Sequence, residues 1–520
     1  MRGIPGLTAG IVFQPRFRMA LLENDLHDDA LRAHVAPADW INPEADGRYN
    51  LVVVGGGTAG LVASAAAAGL GARVALVERH LMGGDCLNYG CVPSKALLRA
   101  ARMAAEVRDA GRFGIRGGAG PEVEFDKVME RMRCLRAEIG HHDGAARFRD
   151  LGVEIFLGEG RFSGPDRVEV GGRELRFSRA LIATGGRAVV LPVPGLVEAA
   201  PLTNETLFTL TELPKRLTVV GAGPIGCEMA QAFNRFGSRV TVVSLDDRLL
   251  PREDPQASVL LRRVFEREGV ELELGAALES VEVRSGEKIV RWKRDGRSFE
   301  TAGDQILLGV GRRPNTDGLG LEKAGVGSGE RGRLIVDEYL RTTNPRIFAA
   351  GDVAGGWQFT HAADAMARLV LRNAFFFGRG RQSALTMAWC TYTSPEIGHV
   401  GLYAGQEKEA GCELEELELD LKEVDRFLLD GEGEGFAKVI VEKKTGRLRG
   451  ATVVGEHAGE ILGEACLAVT RRMKVTAWSG VIHPYPTQAS VWSRIGDLAN
   501  RRRLTPGRAS LLKSFLKWRR

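Results

Sequence analysis

Two cysteines, Cys86 and Cys91, stand beside glycines, a proline and Lys95 in "GGDCLNYGCVPSK" (83–95). A pair so spaced can close a structural disulfide, supply half of a metal site, or carry electrons as a redox couple. Zinc would need a second pair of Cys or His ligands at matching spacing, and the chain has none. Inert buried thiols are the remaining reading, because only the thiolate form is reactive.

Such a pair must be held by the elements around it, and those come in two copies. "LVVVGGGTAGLVASAAAAGLGARVALVE" (51–78) reads as a β-branched strand, a glycine turn, a small-residue helix and a second strand; "LTVVGAGPIGCEMAQAFNRFGSRVTVVS" (217–244) repeats that order. Each carries G-x-G-x-x-G directly after the strand, as Gly55, Gly57 and Gly60 and again as Gly221, Gly223 and Gly226. In such a turn the first glycine allows the bend, the second lets backbone approach a pyrophosphate, and the third lets helix pack on strand. The phosphates then meet free N–H groups and the positive end of the helix dipole. The two copies end differently. Glu78, 21 residues past Gly57, can bind both ribose hydroxyls of an adenosine, whereas the same offset from Gly223 falls on Ser244. Serine removes the charge that would repel a 2′-phosphate, and Arg248 follows; Asp246 and Asp247 between them act the other way. NADPH is therefore tolerated beside NADH. Two dinucleotide sites in one chain predict FAD held tightly and a nicotinamide nucleotide that exchanges, since hydride passes readily between them.

Length and composition agree with an enzyme of several domains. The chain has 520 residues, 44% hydrophobic and 26% charged, too long for one core. Seven cysteines without regular spacing predict a reducing, cytoplasmic setting with one special pair. The uncharged run Leu51–Ala72 holds a glycine triplet and reads as strand, turn and helix rather than a membrane span. Residues 1–22, with scattered arginines, do not read as a signal peptide. Residues 501–520 hold eight basic and no acidic residues, more than the whole net charge of +5. The basic character is a tail, so no nucleic-acid surface is expected on the body.

Further motifs extend the pattern: "ALIATGG" (180–186), "GVGRRPN" (309–315), "IFAAGDVAG" (347–355) and "YTSPEIGHVGL" (392–402). In this order, with the cysteine block and both fingerprints, the chain resembles the pyridine nucleotide-disulfide oxidoreductases over about residues 48–498. "GGDCLNYGCVPSKALL" with "IHPYPT" (482–487) is most similar to the mercuric reductase-like branch. The resemblance implies an α/β fold of two Rossmann-like domains and a C-terminal α+β dimerisation domain. The segments would be an N-terminal extension (1–48), an FAD domain (49–190 with 303–383), an NAD(P) domain (191–302), a dimerisation domain (384–498) and a basic tail (499–520). It makes Cys91 the thiol against the flavin, the charge-transfer thiolate, and Cys86 the outer thiol that meets substrate. Lys95 would lie near the flavin and pair with Glu228. Gly84, Thr184, Gly185, Gly351 and Asp352 would join the first fingerprint around FAD, with Asp352 on the ribityl chain, and Gly311 would serve NAD(P). The protein would be a homodimer.

The C-terminal segment departs from the family's disulfide reductases, which carry His-Pro-Thr-x-x-Glu supplied from the partner subunit. In "HPYPTQAS" (483–490), Tyr485 takes the place of the histidine and Ser490 that of the glutamate, with His483 two residues earlier. A tyrosine, with a pKa near about 10, is a poor base at neutral pH. It can donate a hydrogen bond or help hold a soft metal ion, as the tyrosine of mercuric reductases would, or it can simply pack at the dimer seam. The vicinal cysteines that end mercuric reductases are missing, as is the N-terminal metal-binding domain: the last cysteine is Cys466, and residues 1–48 hold none. No structural metal is expected, although Cys86 and Cys91 could hold Hg(II) as substrate.

The expected activity is NAD(P)H-driven, FAD-dependent reduction of the Cys86–Cys91 disulfide and then of an acceptor: Hg(II), another disulfide or a quinone. The alternatives are a dihydrolipoamide dehydrogenase, which Tyr485 and Ser490 disfavour, and a low-turnover redox-sensing or membrane-associated protein. Residues 23–48 predict a short helix and a lead-in that covers the FAD domain, and residues 1–20 are expected to be disordered. The tail "ASLLKSFLKWRR" puts Leu511, Leu512, Phe515 and Leu516 on one helical face. That face either packs on the dimer or meets an anionic membrane surface.

Overall fold

The computed structural model describes residues 21–116 and 122–520; the expectation for residues 1–20 lies outside them. The chain forms two compact units, one from the chain up to Leu249 with Phe265–Leu385, the other from Leu250–Val264 with Thr386–Arg520.

The first unit is built on two parallel sheets. In the larger, strands run in the order Val153–Leu157, Val74–Glu78, Arg48–Val54, Arg173–Ile182, with Ile347–Ala349 also paired to Arg173–Ile182. The near-continuous Val, Leu and Ile of these strands reflect burial on both faces. On one face the helix Thr58–Gly69 meets the helix Thr360–Phe375 through Ala59, Ala63 and Ala67 against Met366, Ala367 and Val370. Small side chains allow the close approach, and each fully buried Leu or Val of the sheet contributes about 1.5–3 kcal/mol. An antiparallel pair, Arg161–Gly164 and Arg167–Val170, extends the Arg173–Ile182 strand.

The second sheet has the order Glu271–Leu274, Arg239–Ser244, Arg216–Val220, Gln305–Leu308, all parallel. Its last strand falls beyond the expected NAD(P) boundary at 302. The antiparallel meander Ala277–Gly303 is an insertion before that strand, and pairing of Gln305 with Leu217 returns the chain to the sheet. The crossover between the two sheets is a short antiparallel ladder, Gly186–Ala188 with Arg312–Pro314.

The N-terminal segment is integral to this unit. Helix Leu26–Val35 starts at Asp25, whose side chain accepts from the backbone N–H of His27 and Asp28. It buries Leu31 and Val35 completely and pairs Asp28 with Arg136, both almost inaccessible. Asn42 then exchanges hydrogen bonds with the backbone of Leu157 at the sheet edge, at 2.8 and 2.9 Å. Within the expected extension, residues 25–48 lie on this unit, as a lead-in covering the FAD domain would, and Asn42 caps the edge of the sheet.

The second unit is a five-stranded antiparallel sheet, Ala388–Thr391, Glu396–Gly401, Leu448–Gly455, Phe436–Glu442, Leu414–Asp420 in spatial order. Helices Ala458–Thr470 and Val491–Arg503 bury one face around the stacked Trp478 and Trp492, 4.9 Å apart. Leu250–Val264 joins this unit rather than the NAD(P) region expected to contain it. Trp389 and Tyr403 each donate to the Glu253 carboxylate at 2.7 Å, and Lys438 pairs with Asp254 at 3.0 Å. The tail forms a separate helix, Pro506–Trp518. Among the described residues, no helix is long and apolar enough to cross a membrane.

Candidate active site

Cys86 lies in the short helix Gly84–Tyr89, and Cys91 opens the helix Cys91–Asp109 after Gly90. The intervening break turns the second cysteine back toward the first, and the two side chains are hydrogen-bonded as free thiols. Cys91 is lowered to about 6 by the hydrogen bond from Cys86, then by the Thr360 hydroxyl and the positive charge of Lys95, against the effect of burial. The Thr360 Oγ1 to Cys91 Sγ distance is 3.3 Å. A helix start favours the anion as well, because its first N–H groups are unpaired. Cys86 moves the opposite way, pushed up by its bond to Cys91 and by burial. The pair is therefore asymmetric: its surroundings favour the thiolate on Cys91 and the thiol on Cys86.

Lys95, one helical turn beyond Cys91, lies within 3.0 Å of Glu228 on the helix Pro224–Phe236. The glutamate side chain is 6% exposed, so the pairing brings a positive charge to a buried carboxylate. Sequence reading paired these two residues through the resemblance only.

Three residues at the redox pair were missed. Besides Thr360, these are Asp85 and Arg312. The Arg312 guanidinium contacts Asp85 at 3.3 Å and Asp352 at 3.2 Å and donates to the Gly186 carbonyl at 2.7 Å. Asn204 donates to the other Asp85 oxygen at 2.7 Å. The residue preceding Cys86 is thereby tied to the loop containing Asp352. "GRRPN" held the arginine in plain view, but its partners are 227 and 40 residues away in the chain.

The parallel strands of the larger sheet end together, which gathers Gly55, Glu78, Thr184 with Gly185, and Gly351 with Asp352 at one edge. This is where open α/β sheets bind ligands. The glycines test whether a dinucleotide fits. Gly55 has φ +112°, and a Cβ on Gly60 would run into the Gly55 carbonyl, so both are required by the chain itself. Gly57 has an ordinary φ of −81°, and a Cβ there would meet nothing closer than Gly84 Cα at 3.7 Å. Its lack of a side chain keeps clear only the surface before the helix Thr58–Gly69, where a pyrophosphate would sit. Gly84 itself cannot carry a Cβ, which would lie 2.6 Å from Gly57 Cα. Thr184 and Asn315 clasp each other, the hydroxyl donating to the Asn315 carbonyl at 2.7 Å and the amide to the Thr184 carbonyl at 3.0 Å.

Glu78 is buried, which raises its pKa, while backbone N–H groups of Gly56 and His80 donate to it at 2.6 and 2.7 Å. Glu78→Ala should lower FAD retention by at least about tenfold, because the anchor of the turn at Gly56 is lost together with the ribose contact expected of this carboxylate. Flavin released during dialysis against the apo-protein's buffer measures it.

The second sheet repeats the arrangement. Gly221 has φ +107°, and a Cβ on it would lie 2.6 Å from the Gly309 carbonyl; the middle glycine, Gly223, again has open space, its nearest neighbour at 3.8 Å. Ser244 ends its strand with its hydroxyl accepting from the backbone N–H of Asp246 at 3.2 Å. Gly311 has φ +108° and clear space around it.

In the second unit Tyr485 is exposed, and its hydroxyl donates to Asp425 at 3.0 Å, which raises its pKa above the ordinary phenol value. Ser490 donates to the Thr487 carbonyl at 2.7 Å. His483 pairs with Glu464 at 2.9 Å, a histidine–carboxylate pair assembled from a glutamate outside the C-terminal motif.

Two dinucleotide cradles and a dithiol at a helix start define a flavoprotein disulfide reductase. Residues 49–367 match the pyridine nucleotide-disulphide oxidoreductases and residues 387–494 match that family's dimerisation domain. The chain belongs to this family, which is FAD-dependent and uses NAD(P)H. It is 36% identical over 449 residues to a mercuric reductase of Bacillus cereus, covering 86% of this chain and 71% of that one. It is 31% identical over 472 residues to a dihydrolipoyl dehydrogenase of Bacillus subtilis, covering 87% and 97%. Among solved structures, LpdA from Mycobacterium tuberculosis superposes with a TM-score of 0.79 at 28% identity, over 88% of this chain and 100% of that one. A Cu(II) complex of the HOCl-induced flavoprotein disulfide reductase RclA from Escherichia coli gives 0.77 at 26% identity, over 85% and 98%.

Proposed function

We propose that the protein uses NAD(P)H to reduce a thiophilic acceptor, with Hg(II) as the favoured ion, through Cys86 and Cys91. The observation that carries this reading is the pairing of Cys86 and Cys91 across the helix start, with the Thr360 Oγ1 3.3 Å from Cys91 Sγ and its thiol pKa lowered by these neighbours: two sulfur donors, one favoured as the thiolate, suit a soft cation. The chemistry FAD would supply when bound is acceptance of hydride from the nicotinamide and delivery of two electrons to the cysteine pair. Cys86 loses its proton as the ion binds to both sulfurs. Formation of the Cys86–Cys91 disulfide then releases two electrons, which balances reduction of Hg(II) to Hg(0). Lys95 and the Thr360 hydroxyl favour the thiolate on Cys91 in the reduced pair, before the ion binds. The same two electrons would reduce two Cu(II) ions to Cu(I), Cu(II) being the ion in the RclA complex.

Tyr485 supports a metal acceptor over a disulfide. Donation to Asp425 keeps its proton in place, so it does not take the proton of a substrate thiol. As a homodimer, the family's arrangement would carry this segment to the dithiol of the other subunit. The setting is a reducing, cytoplasmic one. A second reading, dihydrolipoamide oxidation, is favoured by the His483–Glu464 pair, which offers a base oriented by a carboxylate.

The test is NADPH oxidation by the holoenzyme with Hg(II)–thiol, Cu(II), lipoamide, glutathione disulfide and quinones. Turnover with Hg(II), lowered at least about tenfold by Tyr485→Phe while flavin reduction is unchanged, supports the proposal. Turnover with lipoamide alone, lost on His483→Gln, supports the second reading and defeats the first. For the nucleotide, Ser244→Asp should raise the NADPH KM about tenfold or more and leave the NADH KM nearly unchanged, because the new carboxylate faces only the 2′-phosphate.

A further inference from the structure

The tail helix carries a surface that neither dinucleotide binding nor the dithiol uses. Helix Pro506–Trp518 begins at Thr505, whose hydroxyl accepts from the Arg508 backbone N–H at 3.5 Å, with Pro506 at the first helical position. This start is fixed locally and needs no tertiary contact. Helical periodicity gathers Leu511, Leu512, Phe515, Leu516 and Trp518 on one side. All five are exposed, Leu511 at 74% and Trp518 at 80%. Contrast the preceding helix Val491–Arg503, whose Val491, Trp492 and Ile495 are fully buried. One helix is therefore part of the core, and the next keeps its apolar side in water.

Charge narrows what can cover that side. Of the eight basic residues of 501–520, Arg502 pairs with Glu415 at 3.3 Å, and no acidic residue follows Asp497 in the chain. Ser510 and Ser514 with Lys513 and Lys517 form the opposite face, while Arg519 lies over the Phe515 ring at 5.9 Å and Phe515 lies 6.0 Å from Trp518. A tail-to-tail contact between two copies would bring like charges together. A nucleic acid would satisfy the charge and leave five large apolar side chains wet. An anionic lipid surface satisfies both, taking the apolar side into the headgroup boundary while lysines and arginines reach back to phosphates.

We propose that residues 501–520 dock the enzyme on an anionic bilayer surface, with Leu512 and Phe515 central to the inserted side. The holoenzyme is sedimented with vesicles of phosphatidylcholine alone and of phosphatidylcholine with about 30% phosphatidylserine. Binding should be at least about tenfold greater on the anionic vesicles and should weaken as salt is raised. Leu512→Ala with Phe515→Ala should remove most of it at unchanged charge, with flavin content, NADPH oxidation and subunit association as in the unaltered protein. Equal binding to both vesicles, or none, overturns the proposal. Unchanged vesicle binding by the double variant, with equal retention on RNA, would mean that charge alone acts. Weakened subunit association in the double variant would mean that the face belongs to a contact between copies of the chain. Either result also overturns it.

Discussion

Cys86→Ala should move the ionisation of Cys91 upward from about 6, because the hydrogen bond that contributes most to that low value is gone. The sign follows from the partner's role: Cys86 donates to the thiolate, so its loss disfavours the charged form. Lys95 and Thr360 remain, and burial still opposes them. In the reduced, unaltered protein, alkylation by iodoacetamide should persist below the pH at which an ordinary thiol stops reacting. In Cys86→Ala the loss of reactivity should come at higher pH, and turnover with any thiol-reactive acceptor should drop by about a thousandfold or more, since no disulfide can form. Cys91→Ala should abolish turnover equally and remove the low-pH alkylation altogether. If Cys86→Ala left the alkylation profile where it was, the pair would not be coupled. The long-wavelength absorbance that a thiolate beside a flavin gives on two-electron reduction is a second measure of the same group.

Arg312→Met should have the largest effect on stability. Its side chain is 12% exposed and faces two carboxylates, Asp85 and Asp352. Removal leaves both without that counter-charge, at a cost of about 3 kcal/mol. Burial already raises the Asp352 pKa, and Arg312 is the main group holding it down. A carboxyl whose pKa is raised in the folded state binds more protons there than in the unfolded chain, so its contribution falls as pH rises through that value. The variant should therefore be most destabilised at neutral and higher pH and should recover partly in mild acid. Thermal unfolding between about pH 5 and 8 would measure this. Arg312→Lys should rescue only part of the loss, because one ammonium cannot span both carboxylates as a planar fork does. Equal melting temperatures for Arg312→Met and the unaltered protein at pH 8 would refute the linkage between the redox loop and Asp352.

How far residues could be read in the chain depended on the range of their interactions. The glycine turns, the strands on either side and Glu78 were legible because each is set within about 30 residues by backbone sterics and period. The cysteine block was legible for the same reason: Gly90 breaks the helix between its two thiols, and helix start, glycine and Lys95 are neighbours in sequence. The first carboxylate around Arg312, by contrast, comes from a distant segment. The same is true of Glu253, read as part of the NAD(P) region. Its burial with Trp389 and Tyr403 places it in the second unit, and nothing local in "PREDP" signals that. The last parallel strand, Gln305–Leu308, lies past the expected boundary at 302 because an antiparallel insertion precedes it, and periodicity marks strands without saying which sheet receives them.

The sequence alone determined two dinucleotide-binding turns, a close cysteine pair whose redox role was implied by the resemblance, and a C-terminal segment without the usual His-Glu motif. Tertiary structure decided the electrostatics: which thiol is ionised, which arginine balances which carboxylates, and that His483 finds Glu464. The division has one physical cause. Backbone conformation follows from neighbours a few residues apart, whereas proton affinities depend on burial and on charges a few ångströms away, which the chain brings together only by folding.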